Sequence, residues 1–334
     1  MGRVALVFVA LVVLLIAVCA LGASFGAVSI DLWAALTDPT SQDAVILTQA
    51  RLPRLALAAL TGGALAAVGV AFQALLRNPL ADPYVLGVSG GAAAGATFAL
   101  LAGAMTFSAL GVWLVPMSAL AGGLLATFLV YAIARAGGNV SGTNIILAGV
   151  IVNAIAAAVI TFTKTLVSAE KAQELLFWLM GFIDVPSDGA LLVATGWVFV
   201  GLVVLAADSG RLNLLALGRD PAAHLGVNVA GLERRVFFTA SLIVGAVVSL
   251  TGLIGFVGLV VPHAARRLVG SDHRLVLPAS LLLGAAVLVG CDLVTRAAFV
   301  WIGTEPPVGA VTALIGGPLF LVLLFRTRNR AVFV

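Results

Sequence analysis

Gly87-Val88-Ser89-Gly90-Gly91 has the spacing of a nucleophile elbow, and its first four residues match the Gly-x-Ser-Gly of intramembrane serine proteases. A serine hydroxyl attacks only when a base takes its proton, so either chemistry needs a histidine within hydrogen-bond reach. His224, His263 and His273 all fall in or beside polar connections, and the pattern reads instead as small residues that let helices approach closely. No Gly-x-x-x-x-Gly-Lys-Ser/Thr occurs, and the only lysines, Lys164 and Lys171, lie outside any Gly-rich loop, so no nucleotide is held through a P-loop. Cys19 and Cys291 sit in apolar runs, which excludes a disulfide framework and a thiolate metal cluster. What remains is charge: Arg51 and Arg54 about one turn apart, and Asp292 four residues before Arg296, placed to pair on one helical face. These residues bind and position; the chain reads as no enzyme, with no metal or cofactor of its own.

The elements that carry them are dictated by composition. Of 334 residues, 62% are apolar and 10% charged, with mean hydropathy +1.20. A water-facing surface needs about 25% charged residues, so the chain belongs in a bilayer, and nucleic acid is not a partner. Charge-free runs of one crossing's length recur from Val4 to Phe25 through Val308 to Phe325. The run Val236 to Ala265 is too long for one crossing and too short for two full ones, so charge must decide it. If it folds back near Thr251, Gly252, Gly255 and Gly258, thirteen arginines (Arg3, Arg77, Arg135, Arg211, Arg219, Arg234, Arg235, Arg266, Arg267, Arg274, Arg326, Arg328, Arg330) face the cytoplasm. Five basic residues (Arg51, Arg54, Lys164, Lys171, Arg296) then face outward. A single crossing would give 8 inside and 10 outside, so the positive-inside rule favours the fold-back. The prediction is an all-α, polytopic membrane protein: one transmembrane domain over 1–334 with ten transmembrane helices, both termini cytoplasmic, and the seventh and eighth spans short. The apolar run after Arg3 is too long for a secretory leader and is read as an uncleaved first span. Gly62 to Gly69 is echoed by Gly245 to Gly252, as an inverted repeat would give.

Two polar connections stand out. Cytoplasmic residues 208–233, between the sixth and seventh spans, are predicted to form two short helices. One covers Leu212 to Leu217, capped by Asp208 or Ser209. The other has Asp220 as N-cap and Pro221 in its first turn, and closes at Gly226. Leu214, Leu215, Leu217 and Leu225 offer an apolar side for a groove on a soluble subunit or for the lipid interface. On the outer side, residues 168–181 read as a short helix with Ser168 as N-cap and Gly181 as its stop. Charged groups lie at span ends only, which argues against an ion-coupled secondary transporter, the alternative reading, and means that energy arrives from another polypeptide.

Together, several stretches resemble one family, the permease subunits of ABC importers for iron-siderophores, haem and vitamin B12 (FecCD-type, type II importers). They are Arg51-Leu52-Pro53-Arg54, Gln73 to Pro83 running into Leu86 to Ala92, Leu147-Ala148-Gly149, Phe177 to Gly181, Leu217-Gly218 through Val227, and Gly255 to His263. The resemblance spans 51 to about 325, in family order. It implies a homodimer in a bacterial cytoplasmic (inner) membrane, two ATPase subunits below that hold ATP and Mg, and a soluble or lipid-anchored substrate-binding protein above. It gives Leu217, Gly218, Arg219, Asp220, Pro221, Ala222, Ala223, His224, Leu225 and Gly226 the ATPase-coupling role. It has Arg51, Arg54 and Arg296 receive acidic residues of the binding protein. Asn139, Val140, Ser141, Gly142, Thr143 and Asn144 would form the cytoplasmic gate, and the fifth span would line the pathway. Asn153, Thr161 and Thr163 are the polar wall candidates there, or else helix-helix hydrogen bonds. The motion expected is alternating access, with a metal chelate passing along weak, small-residue walls.

Overall fold

The computed structural model describes residues 2–331 apart from 27, 29, 102–108, 137–141 and 186. Helix α1 (Gly2–Ser24) leads to two short helices, α2 (Leu32–Thr37) and α3 (Gln42–Ile46), and a π-helical turn (Leu47–Arg51) runs on into α4 (Leu52–Leu75). A 3-10 turn (Pro83–Leu86) precedes α5 (Val88–Leu101). There follow α6 (Ala109–Ala136), α7 (Gly142–Lys164), α8 (Ala169–Met180), α9 (Asp188–Ala216) and α10 (Arg219–His224). The chain closes with α11 (Val229–Thr251), α12 (Val257–Val269), α13 (His273–Ile302) and α14 (Val308–Ala331). Among the described residues there are no strands.

Seven helical stretches are long and apolar enough to cross a membrane: α1, Gln42–Leu75, Trp113–Ala136 within α6, α7, α9, α11 and α13. Helices α5, with 14 residues, and α12, with 13, are shorter than a full crossing, about 21 and 20 Å against about 30 Å of hydrocarbon. Leu6 and Ile16 of α1, Leu147 and Phe162 of α7, and Leu192 and Phe199 of α9 all lie exposed, a surface suited to lipid and not to water.

At the centre stands α4, buried along almost its whole length from Leu55 to Leu75. It packs on α9, α11, α12 and α13. Glycine makes that possible at two crossings: a side chain at Gly62 would overlap the carbonyl of Gly284, and one at Gly69 would overlap that of Gly258. In lipid, helix association relies on such close backbone approach.

The run Val236 to Ala265 divides within the expected stretch Thr251 to Gly258, α11 stopping at Gly252 (φ +65) and α12 starting after Phe256 (φ +69). The stretch after α4 is interrupted too. Val85 to Met105 is one of the charge-free runs of one crossing's length, but helix begins only at Val88, after left-handed Gly87 (φ +87). Two broken loops, 76–87 and 252–256, therefore each lead into a short helix, one following α4 and the other α11. The glycine echo noted above does not align with these breaks, because Gly252 ends α11 whereas Gly69 lies inside α4.

Residues 208–233 also differ from expectation. No separate helix covers 212–217, because nothing between Ala207 and Ala216 breaks α9, which continues unbroken through Asp208. The second short helix exists as α10, but its N-cap is Gly218 (φ +127) and not Asp220, which sits in its first turn. The outer helix is α8 as predicted: the Ser168 hydroxyl accepts from Lys171 N–H and Gly181 (φ +75) ends it.

Candidate functional site

The bundle has two ends of opposite character. At one end gather the C-terminus of α9, α10, the start of α11 and the turn before α13, tied by ionic pairs. Asp208, almost without exposed surface, accepts from Arg235 (Nε 2.5 Å, Nη2 2.8 Å) and from Arg211 (2.6 Å). Arg219 reaches Glu233 at 3.0 Å, anchoring the start of α10 to α11. Asn213 links α9 to α13: its amide donates to Asp272 at 2.6 Å and its oxygen accepts the His273 backbone N–H at 2.8 Å. The Asn213 amide and the Arg274 N–H together hold the Asp272 carboxyl below the usual carboxylate range. On this braced base Asp220, Pro221, Ala223, His224, Leu225 and Gly226 stand exposed, while Ala222 is buried and Leu217 is two-thirds exposed. Of the leucines expected to form one apolar side, Leu215 is fully buried, so the outward apolar surface is Leu217 and Leu225 with part of Leu214.

At the other end the predicted docking arginines are brought together, but turned inward. Arg51 is 6% exposed and donates to the carbonyls of Ala23 and Val28. Arg296 is buried and donates to the carbonyls of Gly22 (2.8 Å) and Phe25 (3.2 Å) at the end of α1. Asp292, without exposed surface, pairs with Arg296 at 3.0 Å, as the i,i+4 spacing predicted, and with Arg54 at 2.9 Å. Arg54 alone keeps some exposure, 17% of its side chain, and reaches Glu305 at 2.8 Å. Charge is thus present inside the bundle, contrary to the expectation that it lies at span ends only, but these arginines and carboxylates bond to one another and to backbone carbonyls.

Between the ends lies what the sequence reading missed: the broken loops are stitched by polar side chains. Asn153, the middle residue of α7, donates to the Tyr84 carbonyl (2.8 Å) and accepts the Gly90 N–H (3.2 Å). The Tyr84 hydroxyl accepts the Ile254 N–H at 2.7 Å, joining one broken loop to the other. Gln73 donates to the carbonyls of Gly258 and Leu259, both at 3.3 Å. Non-helical backbone at membrane depth persists only where protein satisfies it, and these side chains do so. Ser89 belongs to this set: its hydroxyl donates to the Tyr84 carbonyl at 3.0 Å, so the elbow-like pattern is a backbone tie and not a nucleophile. The signal was available in Asp82-Pro83, since Asp82 caps the 3-10 turn by accepting the Tyr84 N–H. Of the other wall candidates, Thr163 is buried and Thr161 exposed on α7. Gly142, Thr143 and Asn144 open α7, with Gly142 against Leu76; Asn139, Val140 and Ser141 lie outside the described residues.

The sequence and the overall fold resemble known proteins. The profile of the FecCD transport family matches residues 10–326. The chain belongs to the FecCD transport family. It is 43% identical over 288 residues to the cobalamin import system permease protein of Halobacterium salinarum, covering 86% of this chain and 75% of that one. It is 36% identical over 324 residues to the hemin transport system permease protein of Yersinia pestis, covering 95% of each. A metal-chelate type ABC transporter, solved in an inward-facing conformation, superposes with a TM-score of 0.84 at 31% identity, covering 96% of this chain and 99% of that one. With seven membrane-capable helices, this FecCD member is a multi-pass membrane protein.

Proposed function

We propose that this chain is the permease subunit of an ATP-driven importer that moves a metal chelate, a ferric siderophore, haem or cobalamin, into the cytoplasm by alternating access. The named relatives import cobalamin and hemin, which supports that substrate class. In this reading α5, α12 and α14 join the seven long helices as ten spans, with both termini in the cytoplasm of the cytoplasmic membrane. Two copies pair above two ATPase subunits, which supply ATP and Mg. A binding protein delivers cargo to the outer end.

The observation that carries the reading is α10. A six-residue helix held between two positive-φ glycines, Gly218 and Gly226, exposes Asp220, Pro221, Ala223, His224 and Leu225 yet is braced to the bundle through Arg219 and Glu233. A partner seated on that apex transmits its displacement to the bundle instead of merely bending a loop. The docking role expected at the outer end falls to Arg54, whose partner Glu305 an incoming carboxylate can replace; Arg51 and Arg296 hold the end of α1. Thr143 and Asn144 remain gate residues, and Thr161, exposed on α7, the pathway candidate.

The test is reconstitution with the ATPase and binding protein, replacing Asp220 and Pro221 together. Binding-protein-stimulated ATPase activity and chelate uptake should fall at least tenfold while the complex still assembles. Unchanged stimulation would remove the coupling assignment. Uptake sustained by an ion gradient without ATP would favour the secondary-transporter alternative.

A further inference from the structure

We propose that a cavity beside α10, at the basic end of the bundle, binds a phosphate-bearing anion, presented by the headgroup of an acidic phospholipid. The cavity holds about 410 Å³ between the end of α9 and the start of α11, and Arg211, Leu214, Leu225, Asn228 and Arg235 line it. Two guanidiniums converge there on one carboxylate, the buried Asp208, which fixes their geometry and leaves the site one positive charge in excess. Arg211 spends Nη1 on that carboxylate and Arg235 spends Nε and Nη2, so each keeps N–H groups for a further acceptor. Both side chains are about half exposed, 56% and 46%. Planar guanidinium forks of this kind suit phosphate oxygens.

The surroundings favour a lipid as the bearer. Val200, Val203 and Ala207 fall on one stripe of α9 with Arg211, at i, i+3, i+7 and i+11, and all of them are exposed. An acyl chain laid on Val200 and Val203 brings its headgroup to Arg211, and Leu214 at the cavity itself covers the glycerol region. The proposal goes beyond the importer reading and stands without it, since it needs only the permease in a membrane.

The experiment uses purified full-length permease and follows its melting midpoint, with bound lipid counted by native mass spectrometry. The probes are phosphatidylglycerol, phosphatidylcholine and inorganic phosphate at matched ionic strength. Phosphatidylglycerol should raise the midpoint and stay bound, and phosphatidylcholine should not. Asn228→Asp places a negative charge in the cavity while keeping an oxygen for the Gly231 N–H, and should weaken phosphatidylglycerol binding about tenfold. Arg211→Gln should do the same with Arg235 still pairing Asp208. If inorganic phosphate alone reproduces an effect that Asn228→Asp abolishes, the anion site stands but the lipid is not its bearer. Equal binding of the two lipids, or full phosphatidylglycerol binding by both variants, overturns the proposal.

Discussion

Asn153 shows how much one side chain can decide. Its amide satisfies a carbonyl on one side of Gly87 and an N–H on the other, where the chain has given up helical bonding. Ser89 still serves the Tyr84 carbonyl when Asn153 is removed, but the Gly90 N–H loses its acceptor. Leaving a buried backbone group unpaired costs about 1–3 kcal/mol, so Asn153→Leu should destabilise the protein by about that much, read as a lower melting midpoint in detergent. Thr161→Ala, exposed on the same helix, should leave the midpoint unchanged. A second prediction concerns Asp272, whose carboxyl the Asn213 amide and the Arg274 N–H hold at a lowered pKa. A lowered folded-state pKa stabilises above the unfolded value and is lost as pH falls through the folded one. The stability advantage of the native protein over Asp272→Asn should therefore be full at neutral pH and vanish with acidification below about pH 4, the ordinary carboxylate range. Thermal melts of both proteins across that range would check it.

Among the elements, α4 depends on glycine for its place in the core. At Gly69 a side chain would meet the Gly258 carbonyl, so Gly69→Leu should push α12 away, costing more than about 3 kcal/mol and most of the folded yield. Gly2→Leu, with nothing within 4 Å, is the harmless control, and size-exclusion profiles of the two proteins distinguish them. Long apolar helices were legible in the sequence because hydropathy and arginine placement constrain them strongly; charge required the break in Val236 to Ala265, and the glycines from Gly252 to Gly258 located it. The late start of α5 was harder to read, since Val85 to Leu101 carries no charge and the cues were the Asp82-Pro83 cap of the preceding turn and the left-handed conformation at Gly87. The separate helix at 212–217 was over-read: Asp208 and Ser209 looked like caps, but Asp208 instead turns inward to meet Arg235, a pairing 27 residues away that no local pattern announces. Burial of Arg51 and Arg296 was hidden for the same reason, since their partners are carbonyls at the end of α1.

At the scale of the molecule, charge is unevenly divided. The end that carries α10 holds Arg77, Arg211, Arg219, Arg234, Arg235, Arg266, Arg267 and Arg274. At the other end Arg51, Arg54 and Arg296 are occupied internally, and the exposed groups there include Asp31, Asp38, Glu170, Asp184 and Asp188. In the proposed orientation the first end faces the cytoplasm, as the positive-inside rule expects. A membrane-impermeant thiol reagent on intact cells should accordingly label Glu170→Cys and not Asp220→Cys, and the reverse pattern would invert the topology. Of the two native cysteines Cys291 is buried and Cys19 only partly so, and the labelling is therefore made on a Cys19→Ser background. The unbroken course of α9 has its own mechanical outcome. Its 29 residues make a rod about 44 Å long, joined at Ala216 to the root of α10. Pivoted near that root, a 10° swing would carry Asp188 sideways by about 8 Å, so a small rotation at one end of the rod becomes a large displacement at the other.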